Sequence, residues 1–230
     1  MQSFTEISSE LKELIQTVHH TRKVEKGTFL FQEGMSANEL YLVNSGIIYI
    51  SKIIPDGREL TLRMCKAGDL IGELSLFCPT PKFMLNAKVV ENGEVSVILK
   101  NELEEKLEQN STLALEFMRW LSLQHRKTQT KFRDLVLHGK KGALYSTLIR
   151  LSNSFGKETE EGMVIHLPLT NQELANFCGT SREVVNRLLS ELRKNDIVSI
   201  DKGIITIHDL EHLKQEIDCE NCPIEICNIE

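Results

Sequence analysis

Between Thr170 and Arg193 the chain reads TNQELANFCGTSREVVNRLLSELR, and this segment leaves few folds open. Thr170 with Glu173, and Thr180 with Glu183, each match a capping box, in which a hydroxyl and a carboxylate satisfy free N–H groups at a helix start. Two helix starts therefore lie ten residues apart. Gly179 sits where a tight interhelical turn needs a left-handed residue, and Ala175 is small enough for two helices to cross closely. Val185, Leu188, Leu189 and Leu192 give the second helix one buried stripe, while Arg182, Glu183, Asn186 and Arg187 mark its opposite face. The spacing predicts a helix-turn-helix, followed by a hairpin wing over 197–207 with its turn at Asp201-Lys202-Gly203. An ordinary helical hairpin with a solvated charged face would need neither two capping boxes nor a wing.

Such a motif sets one helix into a DNA major groove. An Arg can pair bidentately with guanine and a Glu can accept from cytosine, each good pair discriminating by ~1–3 kcal/mol. Thr170, Thr180 and Ser181 can donate to phosphate, which positions the helix without reading sequence. The net charge of −6 does not oppose a nucleic-acid partner, because it is unevenly spread. Residues 209–230 carry −6, so the remainder is neutral, and 119–150 carries +7 with Asp134 as its only acid.

Upstream the texture changes. From about 24 to 100, short apolar runs recur between turn residues: 28–31, 40–43, 47–54, 60–64, 70–71, 87–90 and 95–99. Leu60-Thr61-Leu62-Arg63-Met64 alternates as a half-buried strand does, and Pro55-Asp56-Gly57 is a hairpin turn. Many short strands predict a β-barrel or jelly roll. Apolar residues 4, 7, 11, 14, 15 and 18 predict a short helix before it. Residues 101–137 lack Gly and Pro and read as one long helix. On it Ala114, Met118, Leu121, His125, Thr128, Phe132 and Leu135 are spaced 4, 3, 4, 3, 4, 3, a seam that predicts pairing with a second helix. His138–Gly142 breaks this helix, a further one runs over about 142–155, and 156–162 reads as a polar loop. No stretch suits a membrane span, and MQSFTEISSELKELIQ lacks the apolar core of a signal peptide, so a cytoplasmic protein with reduced thiols is expected.

Six cysteines occur, and three of them stand at Cys219, Cys222 and Cys227 in a C-x2-C-x4-C pattern. Clustered cytosolic thiols point to a metal. Zinc or a [4Fe–4S] cluster would need a fourth ligand: a side chain other than Cys, a solvent molecule, or a residue brought in by folding. Cys65 and Cys78 belong to the barrel, and Cys178 to the core of the helix-turn-helix. The histidines are scattered; His208 and His212, four apart, read as a solvated helix face.

Together these residues resemble the Crp/Fnr family of dimeric transcription regulators over nearly the whole chain. Gly34, Leu40–Gly46 and the run Gly72-Glu73-Leu74-Ser75-Leu76 are similar to its cyclic-nucleotide-binding barrel. Members that bind cyclic AMP follow that run with an Arg that neutralises the phosphate; here the segment is Leu85-Asn86-Ala87. Leu85 cannot pair with a phosphate, which argues against cyclic-nucleotide sensing. Arg182, Glu183 and Arg187 match the family's set for a TGTGA half-site, so a TGTGA-N6-TCACA-like palindrome is implied. Enteric Fnr proteins bind a [4Fe–4S] cluster through N-terminal cysteines, but here none precedes Cys65. The terminal cysteines instead resemble the Bacillus-type Fnr branch, whose fourth ligand is an Asp just after the dimer helix. Arg133-Asp134-Leu135 before His138–Gly142 matches that place.

The resemblance implies an α+β chain: a barrel domain over 1–100, a dimerisation helix over 101–137, a winged helix-turn-helix over 138–210 and a cluster-binding tail over 211–230. It implies a homodimer that binds double-stranded DNA and RNA polymerase, with no enzyme activity and no membrane partner. Loss of the cluster would free the acidic tail and weaken DNA binding. Two other readings remain open: a regulator of the same fold sensing a small effector in its barrel, with zinc or no metal in the tail, and an iron–sulfur electron-transfer protein or enzyme. No Ser-His-Asp, Cys-His or phosphate-loop pattern supports the last.

Overall fold

The computed structural model describes residues 19–230; the helix expected over 4–18 lies outside them. Among these residues two compact units form. One holds the described residues up to Ile53 together with Leu62–Gln124 and Glu230, and the other holds Ile54–Thr61 and His125–Ile229.

The first unit is built on strands β1 (His19–Val24), β2 (Phe29–Phe31), β3 (Glu39–Ile53), β4 (Glu59–Cys65), β5 (Leu70–Ile71) and β6 (Asn86–Leu99). They form a six-stranded sheet in the order β1-β6-β3-β4, with β2 also on β6 and β5 on β3. The expected runs 40–43 and 47–54 are one strand, and so are 87–90 and 95–99. Register shifts between Val43 and Ile48 let the two long strands bend without separating. The bend needs glycine: a Cβ on Gly93 would lie 2.0 Å from the Ser45 carbonyl oxygen, and one on Gly46 2.8 Å from that of Glu91. Tyr41, Val43, Ile48, Val89, Val95 and Val97 turn inward with the stacked rings of Phe31 and Phe83.

Two helices follow, α1 (Lys100–Gln109) and α2 (Ser111–Leu137). The single helix expected over 101–137 is interrupted at Asn110, whose extended backbone closes α1. Its Oδ1 accepts from the N–H groups of Thr112 and Leu113 and so caps the start of α2. Leu103, Leu107, Leu113, Phe117 and Trp120 pack with Leu40, Leu42, Leu70 and Ile98 in a second core.

The second unit contains α3 (Gly139–Phe155), α4 (Asn171–Phe177), α5 (Arg182–Lys194) and α6 (Leu210–Gln215). It also has a sheet of β7 (Gly156–Thr159), β8 (Gly162–Ile165), β9 (Val198–Asp201) and β10 (Ile204–Ile207), in the order β7-β8-β10-β9. The segment expected as a polar loop at 156–162 is thus largely a hairpin, paired from Gly156↔Ile165 to Thr159↔Gly162. His208 precedes α6 and does not share a helix face with His212; its ring nitrogens meet the Glu161 carbonyl and the Ser199 hydroxyl.

Candidate DNA-reading face and thiol-bearing tail

Thr170 caps α4 as its sequence predicts: its Oγ1 accepts from Glu173 N–H at 3.2 Å, and Glu173 Oε2 accepts from Thr170 N–H at 2.8 Å. Gly179 turns the chain with φ 59°, and Ala175 is fully buried at the crossing. The second capping box is not formed. The start of α5 falls on Ser181, and Thr180 Oγ1 is buried without a hydrogen-bond partner. Val185, Leu188, Leu189 and Leu192 are buried, as their spacing predicts, while Ser181, Arg182, Glu183, Asn186 and Arg187 are exposed on the other side. The Glu183 carboxyl is held below the usual carboxylate range, first by its own backbone N–H at the helix start and next by Ser181. The exposed face of α5 thus offers two guanidiniums, a carboxylate that stays anionic and an amide. The β9–β10 hairpin is the wing.

Along α2 the seam is uneven. Met118 and Phe132 are 57% and 67% exposed, His125 and Thr128 are exposed, and Ala114, Leu121 and Leu135 are half-buried. Leu121 leans on the core of its own unit. Val136 and Leu137, which the heptad pattern passes over, extend the exposed apolar surface.

After α6 the chain returns along α3. Cys219, Cys222 and Cys227 are free, half-buried thiols. Burial raises the Cys227 thiol, and Arg150 opposes this. The guanidinium of Arg150 bonds both Asp134 and the carbonyls of Ile226 and Asn228 on either side of Cys227, and Arg133 pairs with both Asp134 and Glu220, next to Cys219. Asp134 is 5% exposed and engaged at both oxygens. Its Oδ1 accepts from Arg133 Nε at 3.0 Å and Nη2 at 2.9 Å, and its Oδ2 accepts from Ser146 Oγ at 2.7 Å and Arg150 Nη2 at 2.8 Å. Burial alone would raise this carboxyl; hydrogen bonds from Arg150 and Ser146, with the charge of Arg150, outweigh burial and hold it low. Among the described residues, no three His, Cys, Asp or Glu side chains stand in metal-holding geometry. The donor set nonetheless suits a thiophilic metal in its chemistry: three free thiols on one short segment, and a carboxylate held in its ionised form by the arginine that also bonds that segment. Ser146 and Arg150 were not singled out in the sequence; the only signal was one cation within the apolar run Ala143–Leu151.

Residues 142–216 match the Crp-like helix-turn-helix domain and residues 21–110 the cyclic nucleotide-binding domain. The "Anaerobic regulatory protein" of Bacillus subtilis is 57% identical over 225 residues, 97% of this chain and 94% of that one. This chain belongs to the Crp/Fnr family of DNA-binding transcription regulators. A further member, the "CRP-like cAMP-activated global transcriptional regulator" of Mycobacterium tuberculosis, is 28% identical over 188 residues, 82% of this chain and 84% of that one. A variant of CooA from Carboxydothermus hydrogenoformans superposes with a TM-score of 0.75 at 20% identity, over 90% of this chain and 91% of that one, and shows the shared fold. The α+β architecture expected from the sequence is the one observed: a cyclic-nucleotide-binding-type sheet domain, helices, and a C-terminal helix-turn-helix. Among the described residues, no helix is long and apolar enough to cross a membrane.

Proposed function

We propose that this chain is a cytoplasmic, oxygen-responsive regulator of anaerobic genes, active as a homodimer on a TGTGA-N6-TCACA-like palindrome, with a [4Fe–4S] cluster on Cys219, Cys222, Cys227 and Asp134. The observation that carries this reading is that the three-thiol tail is bonded at Glu220, Ile226 and Asn228 to the two arginines that also hold Asp134 at the end of α2. The 57% identity to a protein named for anaerobic regulation supports it. When bound, the cluster would supply an oxygen-labile centre.

The chain's own residues prepare that site. Asp134 must be ionised to act as a ligand, and Arg150 and Ser146 keep it so through Oδ2. Its Oδ1 is held by Arg133, which also pairs with Glu220, so Arg133 can release this oxygen without losing every partner. On α5, Arg182, Glu183 and Arg187 read base edges, with Asn186 on the same face and Thr170 and Ser181 towards phosphate; Thr180, whose hydroxyl is buried, does not share that contact. Two recognition helices would stand ~34–36 Å apart, one DNA turn. The dimer forms along Ala114, Met118, Leu121, His125, Thr128, Phe132 and Leu135, and bound dimers engage RNA polymerase. A cyclic nucleotide is not the signal: Leu85 packs on the barrel core, and Glu73 is paired with Arg63 at 2.9 Å.

The test is iron and acid-labile sulfide per chain in protein purified without oxygen, repeated after exposure to air. About four of each, lost in air, is the expected result. Zinc, or no metal, would sink the cluster assignment and move the signal to the barrel.

A further inference from the structure

The tail that carries the thiols is seated by groups that are not thiols. Arg150 is 2% exposed, the largest fully buried side chain among the described residues. Its Nη1 donates to the carbonyl oxygens of Ile226 at 3.2 Å and Asn228 at 3.4 Å, its Nη2 to Asp134 at 2.8 Å, and its Nε to Ser146 Oγ at 3.3 Å. One guanidinium therefore joins the end of α2, the middle of α3 and the last turn of the tail. Asn153 Nδ2 donates to the Cys227 carbonyl at 2.6 Å, and Ile229 N–H donates to Ser154 Oγ at 3.1 Å. Ile226 and Ile229 are 5% and 1% exposed. Asn228 Nδ2 donates back to the carbonyls of Ile224 and Glu225, which folds the segment on itself. A buried guanidinium is tolerated only when its fixed fork of donors is met, and here the tail backbone meets part of it.

We propose that Arg150 is the positioning residue of the tail: it docks residues 226–228 on α3 beside Asp134 through contacts that use no thiol, and so holds the thiols near that carboxylate before any metal arrives. The cluster reading enters only in what the thiols are positioned to hold. This changes the expectation that losing the cluster frees a −6 tail. Two of the acids, Glu216 and Glu220, already pair with Lys141 and Arg133, and the docking groups stay in place.

Hydrogen exchange on the full-length, metal-free, reduced protein tests this, read from tail peptides against barrel peptides. A Cys219→Ser/Cys222→Ser/Cys227→Ser variant is expected to protect its tail as the wild type does, within about twofold. Arg150→Met is expected to speed tail exchange at least ~10-fold with barrel peptides unchanged, and Arg150→Lys, which keeps the cation but not the fork, to recover part of that protection. Release of the tail in the triple variant, or an unchanged tail in Arg150→Met, overturns the proposal. If Arg150→Met unfolds the second unit, Asn153→Ala/Ser154→Ala takes its place, with a few-fold rise confined to the tail expected and no rise counting against. Titration with cobalt(II) alone separates the docking from its purpose. Arg150→Met should bind cobalt ~10–100-fold more weakly, as loss of an outer-shell support does. A wild type that docks its tail yet takes up neither cobalt nor iron would overturn the cluster reading and leave the docking standing.

Discussion

Two arginines with little exposed surface, Arg63 and Arg150, are partnered in different ways. Arg63 in the barrel unit pairs with Glu73 at 2.9 Å, donates to the Leu70 carbonyl at 3.4 Å and has Asp69 at 4.0 Å. All three partners lie within ten residues of it along the chain. Arg150 instead draws on Asp134, 16 residues before it, and on carbonyls 76 and 78 residues after it. The first set is local, leaves the buried Nε of Arg63 without a hydrogen-bond partner, and braces one corner of a sheet. The second is complete only while the tail is docked, so its state reports on the tail. A signal that enters through the tail therefore meets a junction, whereas the barrel holds a brace.

Removing the acid from each set is the strongest way to break that comparison. Asp134→Ala leaves Arg150 buried without its carboxylate, which costs ~3–5 kcal/mol. Glu73→Ala leaves Arg63 with Asp69 and a carbonyl, and ~1–3 kcal/mol is expected. Chemical denaturation of the metal-free proteins compares them, and equal losses would mean that the two arginines are alike. The same numbers bear on cluster retention. An Asp134→Ala variant without iron would combine a missing ligand with a weakened fold, so its iron content has to be read beside its stability.

The exposed face of α5 is neither brace nor junction, and its substitutions should leave both arginine sets alone. Arg187→Ala or Arg182→Ala is expected to lose ~1–3 kcal/mol on a TGTGA-type operator and far less on unrelated DNA, with the salt slope nearly unchanged. Fluorescence anisotropy across a salt series decides this. A uniform loss on every sequence, with a shallower slope, would reassign those arginines to phosphate contacts.

The helix-turn-helix was legible because its signals are local: a capping hydroxyl, a turn glycine and a stripe at helical spacing. Where partners lie far off in sequence, legibility failed. The merging of paired runs into β3 and β6 depends on Gly93 meeting Ser45 across the sheet. Asn110 looks like any polar helix residue until its side chain caps α2. Arg150 could not be read because two of its partners lie in the tail. Even within the motif, two identical patterns diverged: Thr170 caps, while Thr180 stands one residue before the cap with a buried, unpartnered hydroxyl. Thr170→Ala should therefore cost ~1 kcal/mol. Thr180→Val, which puts a methyl where the hydroxyl is unmet, should be neutral or stabilising by up to ~1 kcal/mol. Thermal unfolding orders the two, and equal losses would restore the second capping box.

The finest distinction concerns another buried cation, close to Arg150. Lys131 is 8% exposed and stands over the Phe177 ring at 5.2 Å. Burial, and after it the positive charge of Arg150, push its pKa down to about 7 from an ordinary 10.5. Below pH 7 folded and unfolded chains both hold the proton. Between about 7 and 10.5 the unfolded chain still holds it and the folded chain has lost it, so stability rises with pH through that window. Relative to Lys131→Met, the wild type should therefore gain stability as pH goes from about 7 to 9, with a slope of at most ~1.4 kcal/mol per pH unit. Arg150→Lys keeps the neighbouring charge and should preserve this trend, while Arg150→Met should shift it to higher pH. A flat difference between wild type and Lys131→Met would mean that Lys131 stays charged. The influence of Arg150 would then stop at its own hydrogen bonds, as that of Arg63 is expected to do.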